Sequence, residues 1–311
     1  MSWQSALACW AVRRRMRPET AKPMLDVDRA RAYTSRRIWS PGVPKSHHLE
    51  IRSDGEWLRT AEPRSTILYL HGGGYYFCSP RSHRAISFGL AVRAHADVLS
   101  VDYRLAPEHR FPAAVDDAIA AYRALVGDEI APRSIVIAGD SAGGGLALAT
   151  ALALRDAGDA LPAGIVLFSP WTDLTCSGAS MQANEGRDPM FHAAVFPKVA
   201  AQYLGEADAR HPYASPLFGA FEGLPPLLIH VADTELLLDD STRAADKARK
   251  AGVHVNLRIW RNVPHIFQIW APFMPEAREA LSQAARFIDA VTSVPATASA
   301  GIHRPPITSM V

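Results

Sequence analysis

Short, nearly continuous apolar runs recur along this chain, separated by longer segments whose apolar residues return every three or four positions. The runs are His48–Arg52, Thr66–Leu70, Asp97–Asp102, Ser134–Ala138, Gly164–Phe168, Leu227–Val231 and Val253–Trp260. Their length and their content of Val and Ile predict strands. Between them, Pro112–Val126, Ser141–Ala157, Asp239–Ala251 and Pro275–Ala290 predict helices. Pro112 stands at a tolerated first helical position, and Gly158 and Gly252 stand where a helix stops. Segment Ser141–Ala157 is apolar nearly all round, so it should be buried. Strands that are apolar throughout and alternate with helices predict an α/β fold with a mainly parallel central sheet covered on both faces.

Two stretches break this rhythm, residues 1–45 and about 175–219, and both read as additions to the sheet. The first carries Trp3, Trp10, Met16, Met24 and Trp39; the second carries Met181, Met190, Phe191, Phe196 and Tyr203. The domain division that follows is an N-terminal segment over 1–45 and a catalytic domain over 46–291 with an insertion at 175–219. A tail rich in Ser, Ala, Pro and Thr over 292–311 should be disordered.

Composition narrows the class. Of 311 residues, 48% are hydrophobic and 21% charged, and the net charge is +2, which gives no reason to expect a nucleic-acid partner. Cys9, Cys78 and Cys176 form no CxxC pair, and three cysteines make no disulfide framework. A reducing, cytoplasmic compartment is therefore expected. No apolar stretch is long enough to span a bilayer. At the N-terminus the apolar residues precede Arg13, Arg14, Arg15 and Arg17, the reverse of a secretory signal. An amphipathic helix is expected there, with no stable membrane insertion.

The chemistry centres on Gly139-Asp-Ser-Ala-Gly-Gly144, between a predicted strand and a predicted buried helix. A serine on such a turn is exposed at the end of a sheet, and small neighbours let strand and helix backbones pass close together. The new helix adds a free N–H at Ala142 and the positive end of its dipole. Leu70-His-Gly-Gly-Gly-Tyr75 follows another strand directly. Its glycines can turn N–H groups into a cavity, so Gly73, Gly74 and Ala142 are candidate oxyanion donors. A phosphate loop is the competing reading, but neither GxxxxGK[ST] nor a complete GxGxxG occurs. His71 should brace the loop.

A nucleophilic serine needs a base and an acid to orient it. In this architecture the base comes last along the chain. Of the later histidines, His230 lies within a strand, His254 starts one and His303 sits in the tail. His265 follows a strand end in Asn262-Val-Pro-His-Ile-Phe-Gln268. After Leu227–Val231, the stretch Asp233-Thr-Glu-Leu-Leu-Leu-Asp-Asp240 offers the acid. Asp239 and Asp240 read as first-turn acids of the next helix. Asp233 and Glu235 stay open. No cluster has metal-ligand spacing, so a cofactor-free reaction is expected.

His71-Gly-Gly-Gly74, Asp102-Tyr-Arg-Leu-Ala-Pro-Glu108, Gly139-Asp-Ser-Ala-Gly-Gly144, the acidic loop before Asp239, and Pro264-His265 occur together and in order. In this the chain resembles the bacterial hormone-sensitive-lipase family of α/β-hydrolases, esterase family IV. The resemblance implies an α/β-hydrolase fold with a helical cap, built from the N-terminal segment and the insertion. It implies Ser141 as nucleophile and His265 as base. The family's acid stands four residues before an aspartate equivalent to Asp239, within Asp-Pro-Leu; that selects Glu235, here in Glu-Leu-Leu. The Tyr103–Glu108 stretch should fix the backbone behind the oxyanion loop.

The function implied is hydrolysis of short- to medium-chain carboxylic esters, with a compact lactone as the alternative substrate. Met190, Phe191, Phe196, Ile266 and Phe267 should line the pocket, and Trp3, Trp10, Met16, Met24 and Trp39 should cover its mouth. An amidase would share the triad. A non-catalytic binding relative, like the plant gibberellin receptors that resemble this family, would show a damaged triad. The resemblance also makes a homodimer reasonable.

Overall fold

The computed structural model describes residues 2–22, 24–37 and 40–293. Three helices come first: α1 (Trp3–Arg15), α2 (Arg17–Thr20) and α3 (Val27–Arg37). The body follows as β1 (His47–Arg52), β2 (Gly55–Thr60), β3 (Ser65–Leu70), α4 (Arg84–Ala94), β4 (Ala96–Val101), α5 (Ala113–Gly127), β5 (Ile135–Asp140), α6 (Ala142–Asp156) and β6 (Gly164–Phe168). Between β6 and β7 (Leu227–Ala232) lie α7 (Ser180–Ala183) and α8 (Val195–Leu204). The chain closes with α9 (Leu238–Lys250), β8 (Val255–Trp260) and α10 (Pro275–Thr292). Trp39 and His303 lie outside the described residues, as does the stretch 294–311.

The eight strands form one sheet in the order β1-β2-β4-β3-β5-β6-β7-β8. The pairs from β4 to β8 are parallel, while β1 and β2 form an antiparallel hairpin on the β4 edge. The hairpin's second strand escapes the apolar pattern because only Trp57 and Leu58 of Gly55–Thr60 are large apolar residues. Alternation along the central strands divides the core. Leu68, Leu70, Ile135 and Ile137 face α5, α6 and α9; Ile67, Tyr69, Val136 and Ala138 face α4 and α10. Helix α6 is buried from Ala142 through Leu154, as a helix apolar all round must be. No described helix is long and apolar enough to cross a membrane.

The junction of β5 and α6 is the tightest part of the sheet. A Cβ on Gly143 would lie 2.1 Å from the Leu70 carbonyl oxygen and 2.4 Å from that of His71. One on Gly139 would lie 2.2 Å from the Gly143 carbonyl oxygen. These contacts are with backbone, which cannot swing aside. Gly143→Ala should therefore lower stability by about 2 kcal/mol or more, read as a reduced urea midpoint at unchanged slope. An unchanged midpoint would show that the strand–helix contact can relax.

Candidate active site

Ser141 sits at φ 53°, ψ −123°, between the end of β5 and the first turn of α6. A non-glycine residue there carries strain of roughly 1–3 kcal/mol. Three backbone bonds hold it. The Ser141 N–H donates to the Phe168 carbonyl at 2.8 Å, and its own carbonyl accepts from Gly145 at 3.1 Å and Trp171 at 2.9 Å. The end of β6 and the start of α6 thus fix the residue from both sides, and its side chain keeps some exposure.

The β3–α4 loop lies beside it, because Leu70 pairs with Gly139 in the register of β3 and β5. Gly73 adopts φ 119° and Gly74 φ 58°, and a Cβ on Gly73 would meet the Phe77 carbonyl oxygen at 2.1 Å. The Gly73 carbonyl turns back to accept from Tyr76 and Phe77. The N–H groups of Gly73, Gly74 and Ala142 donate to no acceptor among the described residues. Gly72 instead donates to Asp140 Oδ1 at 3.1 Å, and the Tyr69 hydroxyl donates to the same oxygen at 2.5 Å. The residue before Ser141 therefore anchors the glycine loop. Burial pushes the Asp140 carboxyl up, but His83, with Nε2 3.2 Å from Oδ2, and the Tyr69 bond outweigh it and hold the pKa low.

His71 has the bracing position expected of it. It is fully buried, stacked on Tyr103 with ring centroids 4.4 Å apart, with Nδ1 2.7 Å from the Gly72 carbonyl oxygen. The Tyr103 hydroxyl donates to the His71 carbonyl at 2.6 Å. Burial first, and His83 second, push the His71 pKa down to about 3, so the ring is neutral and Nδ1–H is the donor. His230 is likewise buried within β7, and burial with the Arg258 charge pushes it down to about 3.

Glu235 and His265 meet at the ends of β7 and β8. Nδ1 of His265 lies 2.5 Å from Glu235 Oε2. The other carboxylate oxygen accepts from Ser169 Oγ and the Ala232 N–H, each at 2.7 Å. Glu235 is wholly buried and His265 is 2% exposed. Burial pushes the His265 pKa down, but the Glu235 charge, its hydrogen bond and the Asp188 charge together raise it above that of a free histidine. Nε2 has no hydrogen-bond partner, so the nitrogen facing away from the acid is available. Asp233, the other candidate acid, is turned from the imidazole and accepts the Asn262 N–H at 2.9 Å. Asp239 and Asp240 do not cap their own helix. Asp239 accepts the Ser180 N–H at 3.0 Å, and Asp240 accepts Thr172 and Asp173 N–H at 2.7 and 2.8 Å. Both thus tie α9 to the β6–β7 insertion.

That insertion also supplies two residues that sequence reasoning missed. Asp188, 1% exposed, accepts the Met190 and Phe191 N–H groups on Oδ1 and the Leu236 N–H on Oδ2, at 2.7, 3.0 and 2.9 Å. Asn184 donates Nδ2 to the Glu235 carbonyl at 2.7 Å and to that of Asp233 at 3.2 Å. The turn-forming Asp188-Pro189 pair was their one signal in the sequence. Ser169 carried none, being a single serine after a strand.

The aromatic wall stands above the imidazole. The Phe191 ring lies 5.0 Å from that of His265 and 5.2 Å from that of Phe196, which is in turn 5.2 Å from Trp171. Met190 is buried and Ile266 half-buried beside them, the latter at φ 46°. Phe267 goes elsewhere. The left-handed turn at Ile266 sends it into the core on the α4–α10 side, fully buried and 5.2 Å from Trp260. Of the large N-terminal residues expected at the pocket mouth, three stand mostly in solvent. Trp3, Trp10 and Met24 are 66%, 56% and 80% exposed. What α1 and α2 give the site is polar. Arg13 donates to the carbonyls of Gly186 and Arg187, and Arg17 to that of Phe191.

Comparison with known proteins agrees with this architecture. Residues 67–269 match the family described by the alpha/beta hydrolase fold. An acetyl-hydrolase of Streptomyces hygroscopicus is 44% identical over 253 residues, 81% of this chain and 85% of the relative. The esterase EstE5, in a crystal soaked with p-nitrophenyl butyrate, superposes with a TM-score of 0.89 at 37% identity, covering 94% of this chain and all of that one. An esterase of the bacterial hormone-sensitive lipase family gives 0.87 at 36% identity, covering 94% and 99%. With more than half its length inside the family match and relatives this similar, the chain belongs to the hormone-sensitive-lipase-like α/β-hydrolases and is a serine ester hydrolase.

Proposed function

We propose that Ser141, His265 and Glu235 form the catalytic triad and that the substrates are small-molecule esters with short to medium acyl chains. The observation that carries the reading is the buried Glu235–His265 pair, which leaves Nε2 without a hydrogen-bond partner, Ser141 included. His265 takes the Ser141 proton through Nε2 as the hydroxyl attacks the ester carbonyl. Glu235 holds Nδ1–H and offsets the imidazolium charge. The N–H groups of Gly73, Gly74 and Ala142 receive the oxyanion, where loss of one donor costs about 3 kcal/mol. His265 returns the proton to the leaving alcohol, and water repeats the cycle on the acyl-enzyme.

The cap in this reading comprises residues 1–45 and 175–219. Acyl length is limited by Phe191, Phe196 and Trp171 above the base and by α8 over the glycine loop. Val199 of α8 lies 2.9 Å from where a Cβ on Gly74 would stand. The acetyl-hydrolase relative and the butyrate ester soaked into EstE5 accord with this range.

Ser141→Ala should lower kcat for p-nitrophenyl butyrate by at least about 10⁴-fold with the fold intact by circular dichroism. Glu235→Ala should cost roughly 10²–10⁴-fold, and Asp233→Ala far less, because Asp233 holds backbone and not the imidazole. A reversed ranking would move the acid to Asp233.

The reaction needs neutral His265, so kcat/KM should rise with pH and level off, its midpoint above the free-histidine value because the His265 pKa is raised. Asp188→Asn removes one of the charges that hold the proton on, so the midpoint should move to lower pH. An unmoved midpoint in a folded variant would exclude Asp188 from the electrostatics of the base.

A further inference from the structure

Helix α1 is apolar on both faces, and the fold covers only one. Ser5, Ala8 and Val12 are buried against the body. Trp3, Leu7 and Trp10, spaced to form one row on a helix, are 66%, 44% and 56% exposed. The row continues onto the segment after the base. Trp3 meets Phe273 edge-on at 5.4 Å, and Phe273 is itself 38% exposed. Leu7, Trp10, Trp270 and Phe273 line one shallow groove, with Arg15 at its rim. Such a contiguous patch of large apolar side chains is unusual on a free surface.

The charges at the C-terminal end of the row are positive, while at its other end Glu276 is occupied by the Ser2 N–H and hydroxyl. The helix ends in Arg13, Arg14 and Arg15 and contains no acidic residue. Arg13 is occupied by the carbonyls of Gly186 and Arg187. Arg14 lies over the Trp10 ring, 5.2 Å from its centroid, and Arg15 is exposed at the groove; neither pairs with a carboxylate among the described residues. Exposed Trp with Leu between, flanked by arginine, is the side-chain set that lies in a lipid headgroup layer. We propose that α1, with Trp270 and Phe273, docks the protein peripherally on a lipid surface bearing anionic headgroups. The helix is 13 residues long, so it lies on the surface and does not cross it. The docking surface does not depend on which residues form the triad.

The test is flotation of the full chain with phosphatidylcholine vesicles and with vesicles containing one-quarter phosphatidylglycerol, at low and high salt. The wild-type chain should float with the anionic vesicles and release at high salt. Arg14→Gln with Arg15→Gln should weaken this binding by about 30-fold. Trp3→Ser with Trp10→Ser should weaken it by at least about tenfold. Both variants should keep wild-type melting and hydrolysis of a soluble short ester. Absence of flotation, or equal flotation of the variants, would overturn the proposal. So would a concentration-dependent dimer that the tryptophan variant alone dissociates, since the patch would then be covered by a second copy.

Discussion

The backbone at Ser141 must hold a positive φ where strand becomes helix, and the surrounding architecture serves that constraint. A turn this strained persists only if its neighbours over-determine it. Phe168 and Trp171, at the two ends of the segment leaving β6, bind the Ser141 N–H and carbonyl, while α6 takes the same carbonyl from the other side. The close approach needs Gly139 and Gly143, whose missing side chains let α6 press onto the carbonyls of Leu70 and His71. The same approach brings the glycine loop beside the nucleophile. Asp140 then fastens that loop through Gly72. The geometry of Ser141 and of the glycine loop, the proposed nucleophile and oxyanion donors, is thus one packing solution.

A second set of bonds couples Glu235 and His265, the proposed acid and base, to the insertion between β6 and β7. Glu235 is held by its own loop and by Ser169, but the loop backbone is held by Asn184 and Asp188 from the insertion. Asp188 also fixes Met190 and Phe191, whose ring stands on His265. A displacement of the aromatic wall is therefore felt at the acid loop through a single buried carboxylate. Buried charge of this kind is costly, and the three N–H donors of Asp188 offset only part of the cost, since burial still pushes its pKa up. In the reading proposed above, selectivity and catalysis share these bonds and are not separable modules in this chain.

The sheet and the nucleophile turn were legible in the sequence because both are written in local patterns. Apolar runs of strand length mark β3 to β8, and Gly-x-Ser-x-Gly between a strand and a buried helix marks the turn. The edge strand β1 was legible too, in His48–Arg52, but β2 was not, since Trp57 and Leu58 are its only large apolar residues. Nor were Ser169, Asn184 and Asp188, which act over separations of 66, 51 and 48 residues. Asp239 and Asp240 lie in the first turn of α9, as their position predicts, but they do not cap it. Their first-turn position is the local signature of a helix cap, yet their carboxylates are used by a segment about sixty residues earlier in the chain. Trp3 and Trp10 look like anchors for a pocket mouth by size alone, but the face they occupy follows from which side of α1 packs, and Ser5, Ala8 and Val12 take that side.

The acid loop departs from the family pattern, and the departure has a physical consequence. Where the pattern has proline after the acid, this chain has Leu236. Proline has no N–H, so it could not serve Asp188 Oδ2, which here accepts the Leu236 N–H at 2.9 Å. The leucine side chain is fully buried in the core cluster on the cap side of the sheet, so its place is fixed by packing as well. Losing proline frees the loop in the unfolded chain, and the bond from Leu236 to Asp188 restores constraint in the folded one. The longer acid is accommodated in the same way. Glu235 has one more rotatable bond than aspartate, and the bonds from Ser169 and Ala232 to one oxygen leave the other directed at His265. Rigidity that the usual sequence builds into the backbone of this loop is supplied here by side chains and N–H groups reaching it from the neighbouring strand end and the insertion.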